Sequence, residues 1–132
     1  MSVDHVAGGF VRKWFDLLNE HPPVENLLPM VSDTDLTMVF PEATLRNHGD
    51  FRRWYDNVGS SYTDQDHVIK ELDARDEADR TDVELTVIWT ATQLSDGAQL
   101  AFRVNQSWQL RESPETGQPV ISTYKVLSID KV

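Results

Sequence analysis

The chain has 132 residues, 39% hydrophobic and 26% charged, with 22 acidic against 12 basic side chains and a net charge of −10. That size and balance fit one folded domain, 1–132, with no room for a second. The acidic excess disfavours nucleic acid and anionic membrane surfaces, which call for clustered Lys and Arg, and the absence of cysteine excludes disulfides and thiolate chemistry.

Val6 to His21 reads as a helix, because Val6, Phe10, Trp14, Leu17, Leu18 and His21 recur on one face at helical spacing. Gly8 and Gly9 cost helix propensity, which leaves room for a later start, or they allow close packing on a sheet. Pro22-Pro23 ends this helix. Pro23 then opens a second short helix, Val24 to Met30. Leu36 to Phe40 reads as a strand broken by Pro41 and Glu42, and Thr44 to Asn47 as a short extended piece. Asp50 or His48, with the cap favoured for His48, starts a third helix whose apolar face is Phe51, Trp54, Tyr55 and Val58. Gly59-Ser60-Ser61 closes it.

From His67 the period changes to two. Val68 and Leu72 belong to one strand, with the place of Ile69 left open, and the charged run Asp73 to Asp82 reads as a solvated hairpin tip. Val83, Leu85, Val87 and Trp89 alternate with polar neighbours, as do Leu100, Phe102, Val104, Gln106, Trp108 and Leu110. Ser95-Asp96-Gly97 and Pro114 to Gly117 are turns, and Val120 to Ile129 is the last strand. Long hairpin-linked strands curl. Their apolar face needs a cover, and only the three helices can supply one. A curled antiparallel sheet closed on one helical layer leaves a hollow at its wide end, where a pocket forms.

The Phe10–Trp14 helix, Met38-Val39-Phe40-Pro41, Gly49 to Tyr55, His67, Val87-Ile88-Trp89, Gln106-Ser107-Trp108 and Ile121 to Tyr124 follow one another in an order that resembles the nuclear transport factor 2-like fold. Within it they are most similar to the SnoaL-like bacterial branch. The resemblance spans nearly the whole chain. It implies an α+β cone: a curved antiparallel sheet with a mixed edge, wrapped round three N-terminal helices. It implies a homodimer through the outer sheet face, here Glu84, Thr86, Ile88 and Thr90 beside Arg103, Asn105, Ser107 and Gln109. It also marks His67 as a position often held by histidine in that branch. The fold hosts isomerases, dehydratases, cyclases, epoxide hydrolases and non-catalytic binding domains, so it names no reaction.

Candidate chemistry gathers on the inward faces. Trp14, Phe40, Trp54, Tyr55, Trp89, Trp108 and Tyr124 form either a slot for a flat ring or simply a filled core. His67 is a candidate general base or a strand-end histidine bonded to backbone. His5 and His21 are expected at the surface. Asp35, Glu71 and Asp73 are the nearest acids, and no acid falls on the inner faces of the two central strands. Gln106 there can orient a ligand but cannot take a proton. A bulge in either strand would turn Arg103 or Glu84 inward. No histidine spacing suits a metal, and no phosphate-cradling glycine loop or nucleophile motif occurs.

Three readings follow. One is a protein binding a small apolar or aromatic ligand through Trp14, Phe40, Trp54, Trp89, Gln106 and Trp108. Another is a cofactor-free isomerase, dehydratase or cyclase with His67 as base and Tyr55 and Tyr124 as hydroxyl donors. The third is a dimeric interaction module working through its outer sheet. No cofactor or metal is expected. With no basic-then-apolar leader at Met1 to His5 and no apolar run of membrane length, the expected address is cytoplasmic.

Overall fold

The computed structural model describes residues 3–132, with side chains from residue 6 onward; His5 lies outside the described side chains. Helix α1 spans Val3–Glu20. Strands β1 (Thr37–Val39) and β2 (Thr44–Leu45) form a small hairpin before helix α2 (His48–Ser61). Four long strands follow: β3 (Tyr62–Asp76), β4 (Thr81–Gln93), β5 (Gln99–Glu112) and β6 (Pro119–Lys131). They form one six-stranded sheet, ordered β2-β1-β6-β5-β4-β3. Only the β1–β6 pair is parallel, so the sheet is antiparallel with a mixed edge, as expected.

Helix α1 runs straight through Gly8 and Gly9. Each glycine costs about 1 kcal/mol against alanine. Truncating one buried tryptophan or phenylalanine costs about 3–5 kcal/mol, so burying Trp14 and Phe15 outweighs the two glycines. The buried stripe is Ala7, Val11, Trp14, Phe15 and Leu18. Val6, assigned to this stripe from spacing, is 49% exposed, because the true face lies one position round the helix.

The second helix is replaced by two single 3₁₀ turns, Val24–Asn26 and Leu28–Met30. Pro29 interrupts it, since proline has no N–H to donate in a helix interior. At α2 the cap is Asn47, whose side chain accepts from the Asp50 N–H at 2.8 Å. His48 and Asp50, the expected caps, lie in the first turn. His48 Nε2 instead lies 2.7 Å from the Val31 carbonyl, and Asp50 accepts from the Arg46 N–H at 3.0 Å.

β4 and β5 pair without a register shift from Thr81↔Leu110 to Thr92↔Gln99. Their alternation is therefore uninterrupted: Val83, Leu85 and Val87 face inward with Val104, Gln106, Trp108 and Leu110, while Glu84 and Arg103 stay outside. The flanking strands do slip. β3 carries a bulge between Ile69 and Glu71, and β6 carries one where Asn105↔Ser128 gives way to Gln106↔Val126. An extra residue reverses facing along the strand. His67 and Ile69 thus point inward before the Ile69–Glu71 bulge and Leu72 and Ala74 after it, while Val68 is exposed. Leu127 is the extra residue at this bulge of β6, a second lying at Ser122, and Ile129 returns inward to the cavity beyond Leu127. Asp35, Glu71 and Asp73 are all exposed. Asp35 lies 3.8 Å from Arg111 at the closed end of the cone.

Candidate functional site

The wide end of the cone holds a cavity of about 320 Å³. Its wall combines the end of α1, the β1–β2 hairpin, α2 and the four long strands. Leu18 and His21 come from the first region, and Phe40, Pro41 and Glu42 from the hairpin. Helix α2 contributes Trp54, Tyr55 and Val58. The strands contribute Gln65 and His67, then Trp89, Phe102, Val104 and Gln106, and finally Tyr124, Val126 and Ile129.

The aromatic rings hold one another in place. Phe40 stacks on Trp54 at 4.5 Å between centroids, and Trp89 on Phe102 at 6.0 Å. The hairpin closes through the Phe40 N–H, which donates to the Ala43 carbonyl at 2.8 Å. The same hairpin brings Glu42 to the Trp54 indole N–H at 3.3 Å. Trp89 donates to Gln65 Oε1 at 3.2 Å. These rings are half-buried and border the cavity.

Trp14 and Trp108, expected among the ligand contacts, do not line the cavity. Both are wholly buried behind it. Inward facing on a helix or strand does not separate the cone's filled end from its hollow one. Trp108 acts at one remove: its indole N–H donates to Gln106 Oε1 at 2.9 Å, and its ring stacks on Tyr124 at 4.7 Å.

His67 opens onto the cavity beside Trp89, its cross-strand neighbour. Phe15 stacks on the ring at 4.8 Å, and Nδ1 lies 2.7 Å from Asn19 Oδ1 on α1. The ring keeps some surface only because it forms cavity wall; protein crowds its other sides. That burial disfavours the charged imidazolium and lowers the pKa to about 3.

Tyr124 is seated between Met38 of β1 and Trp108 of β5. Burial raises its pKa well above the usual phenol value, opposed in part by the neighbouring Trp14 and Gln106 side chains. The Trp14 indole N–H has no acceptor at normal hydrogen-bond geometry, so it attracts the Tyr124 oxygen without bonding it fully. The result is a phenol that stays protonated, able to donate.

Tyr55 also reaches the cavity wall, but its hydroxyl already donates to the Pro22 carbonyl. Burial, then the nearby Asp56 charge, raises its pKa to about 12. Its proton is committed to backbone, which removes it from the expected pair of donors. His21, expected at the surface, stacks flat on Tyr55 at 4.1 Å. It adopts a left-handed φ of 50° just after α1, which turns its ring back over α2. Asn19 is the participant that periodicity missed, whereas His21 falls on the apolar face by spacing although its expected place is the surface. The available signal was position: Asn19 follows Phe15 by one helical turn, on the side where a strand must pack.

No family model and no curated protein matches the sequence. Solved structures do match in shape. One is a ketosteroid isomerase-like protein from Erwinia carotovora, with a TM-score of 0.78 at 18% identity, covering 97% of this chain and 99% of that one. A superfamily member from Salmonella enterica gives 0.79 at 12% identity, covering 93% and 86%. A hexachlorocyclohexane dehydrochlorinase from Novosphingobium barchaimii gives 0.80 at 10% identity, covering 97% and 88%. The fold is nuclear transport factor 2-like. At these identities the likeness is one of architecture. In this nuclear transport factor 2-like chain, the residues around the cavity must carry any argument about chemistry.

Proposed function

We propose that this SnoaL-like cavity binds a small, uncharged, flat ring compound, and that His67 exchanges a proton with it. The reaction class is that of a cofactor-free isomerase, dehydratase or cyclase. The observation that carries this reading is the setting of His67: Nδ1 is taken by Asn19, while Nε2 has no hydrogen-bond partner among the described residues and the ring borders the cavity. Among the lining residues there is no Lys or Arg, and Glu42 stands at the rim. A carboxylated or phosphorylated ligand would find no cation to pair with and would face the Glu42 carboxylate, so a neutral ring is favoured.

The step balances without a cofactor. Nε2 takes a proton from a carbon next to a carbonyl. The electron pair moves onto the carbonyl oxygen, where the Tyr124 hydroxyl and the Gln106 amide stabilise it, and the proton returns at another atom. Such general base catalysis is worth about 10²–10⁴-fold in rate. Two neighbours of this fold carry names from ring chemistry, ketosteroid isomerase-like and hexachlorocyclohexane dehydrochlorinase, which supports the class.

A second reading, binding without turnover, is favoured by the absence of any carboxylate on the inner faces of β4 and β5. We also propose a homodimer through the outer sheet. There Thr86 donates to Asn105 at 2.8 Å and Asn105 to Ser128 at 2.9 Å, beside the exposed Val68 and Leu127.

The test is deuterium exchange at the α-carbon of neutral cyclic ketones in D₂O, followed by NMR. Exchange above the buffer rate that falls about 100-fold in His67→Ala supports proton transfer. Saturable binding with no exchange supports the second reading, and neither binding nor exchange overturns both.

A further inference from the structure

Resting on that reading of His67, we infer that Asn19 and Asp66 form a relay that sets which nitrogen of His67 faces the cavity as a bare acceptor. Asn19 Nδ2 donates to Asp66 Oδ1 at 3.3 Å, and Asn19 Oδ1 lies 2.7 Å from His67 Nδ1. An ionised carboxylate can only accept. Asp66 therefore attracts the NH₂ end of the Asn19 amide and turns its oxygen toward the imidazole. An amide oxygen can only accept as well, so His67 must carry its proton on Nδ1. Nε2 is then left with a lone pair and no partner among the described residues. Reversing the amide would let its NH₂ donate to Nδ1 of the other tautomer, but only by setting its oxygen against the Asp66 carboxylate and losing that bond. One exposed aspartate thereby selects a tautomer two side chains away.

The relay is uncharged where it touches the ring. Asn19 orients His67 but cannot compensate an imidazolium, so the base stays weak and suits only protons made acidic by a neighbouring carbonyl or an aromatic ring. The charged and titratable groups around it are few. Asp66 is on its own strand, Asp16 and Glu20 are exposed on α1, and His21, Glu42, Tyr55, Tyr62 and Tyr124 also border the cavity. Asn19 and Asp66 are positioning residues, since neither lines the cavity.

The test is the tautomer and pKa of His67, read from imidazole ¹⁵N shifts in the full-length protein. Wild type is expected as the Nδ1–H form. Asn19→Leu is expected to move His67 toward the Nε2–H form, and Asp66→Ala to give a mixture. Asn19→Asp, nearly isosteric, is expected to keep Nδ1–H while raising the His67 pKa by about one to three pH units. An Nε2–H signal in wild type, or a tautomer unmoved by Asn19→Leu with a pKa unmoved by Asn19→Asp, overturns the relay. These readouts need no substrate. A confirmed relay with no ketone exchange defeats the proposed reaction alone, and exchange with an unmoved tautomer defeats the relay alone.

Discussion

The indole N–H of Trp108 donates to Gln106 Oε1 at 2.9 Å, so a side chain that never reaches the cavity fixes one that lines it. With Trp108 holding its oxygen, the Gln106 amide has its NH₂ group beside the Tyr124 hydroxyl at the cavity wall. The site therefore presents donors at Gln106 and Tyr124 and an acceptor at His67, all on apolar walls.

Trp108→Phe should show that dependence. It keeps the ring and deletes the donor, leaving Gln106 Oε1 unsatisfied in a buried place. The expected loss of stability is about 1–3 kcal/mol, measured by urea unfolding. Ligand affinity should fall with it, because the freed amide can rotate. Trp54→Phe, at a half-buried position bonded only to Glu42 at the rim, should cost less than half as much.

The pH dependence of stability has a definite sign. In the fold the His67 pKa is lowered to about 3, while the unfolded chain titrates near the ordinary value of 6.5. Between these values the unfolded state holds more protons, so acidification favours unfolding. The contribution is fully present above about pH 6.5 and is lost as pH falls toward 3. His67→Gln, which keeps a donor for Asn19, should flatten that part of the curve. Parallel curves for the two proteins over this window would show that His67 is not held neutral.

Gly59 tests the cavity mouth. A Cβ there would lie 2.4 Å from His21 Nε2, although alanine normally stabilises a helix interior by about 0.5–1 kcal/mol. Gly59→Ala should bring no such gain, because the His21 ring must leave its stack on Tyr55. In a His21→Ala background the same substitution should become stabilising. A thermal-melt double-mutant cycle reads the difference, and additivity would remove His21 from the wall.

The start of α2 should behave locally. Asn47→Ala removes the acceptor for the Asp50 N–H and should cost about 1 kcal/mol. Calorimetry should show that loss with ligand affinity unchanged, since Asn47 does not border the cavity.

The cone was legible because β4 and β5 alternate without interruption and α1 and α2 each carry an apolar stripe. That was enough to place Gln106, Trp89 and Trp54 inward. Strand period carries no information about depth, so Trp108 and Trp14 read the same as Trp89 although they fill the closed end. Facing on β3 and β6 depends on the bulges at Lys70 and Leu127, which leave no mark in composition. Val68 and Leu72 therefore read as one strand with the place of Ile69 open, whereas the bulge puts Ile69 and Leu72 inward and leaves Val68 exposed. Spacing put His21 on the apolar face, but its stack on Tyr55 depends on a left-handed φ before Pro22-Pro23, where proline announces only that the helix ends.

The most direct test is a tryptophan-fluorescence titration with a neutral ring ketone and its carboxylated analogue, in wild type and in Tyr124→Phe. The prediction is saturable quenching by the neutral compound, at least tenfold weaker in Tyr124→Phe, and no saturation with the carboxylate. Tighter binding of the carboxylate, or an affinity indifferent to the Tyr124 hydroxyl, would contradict a donor-lined pocket for uncharged rings.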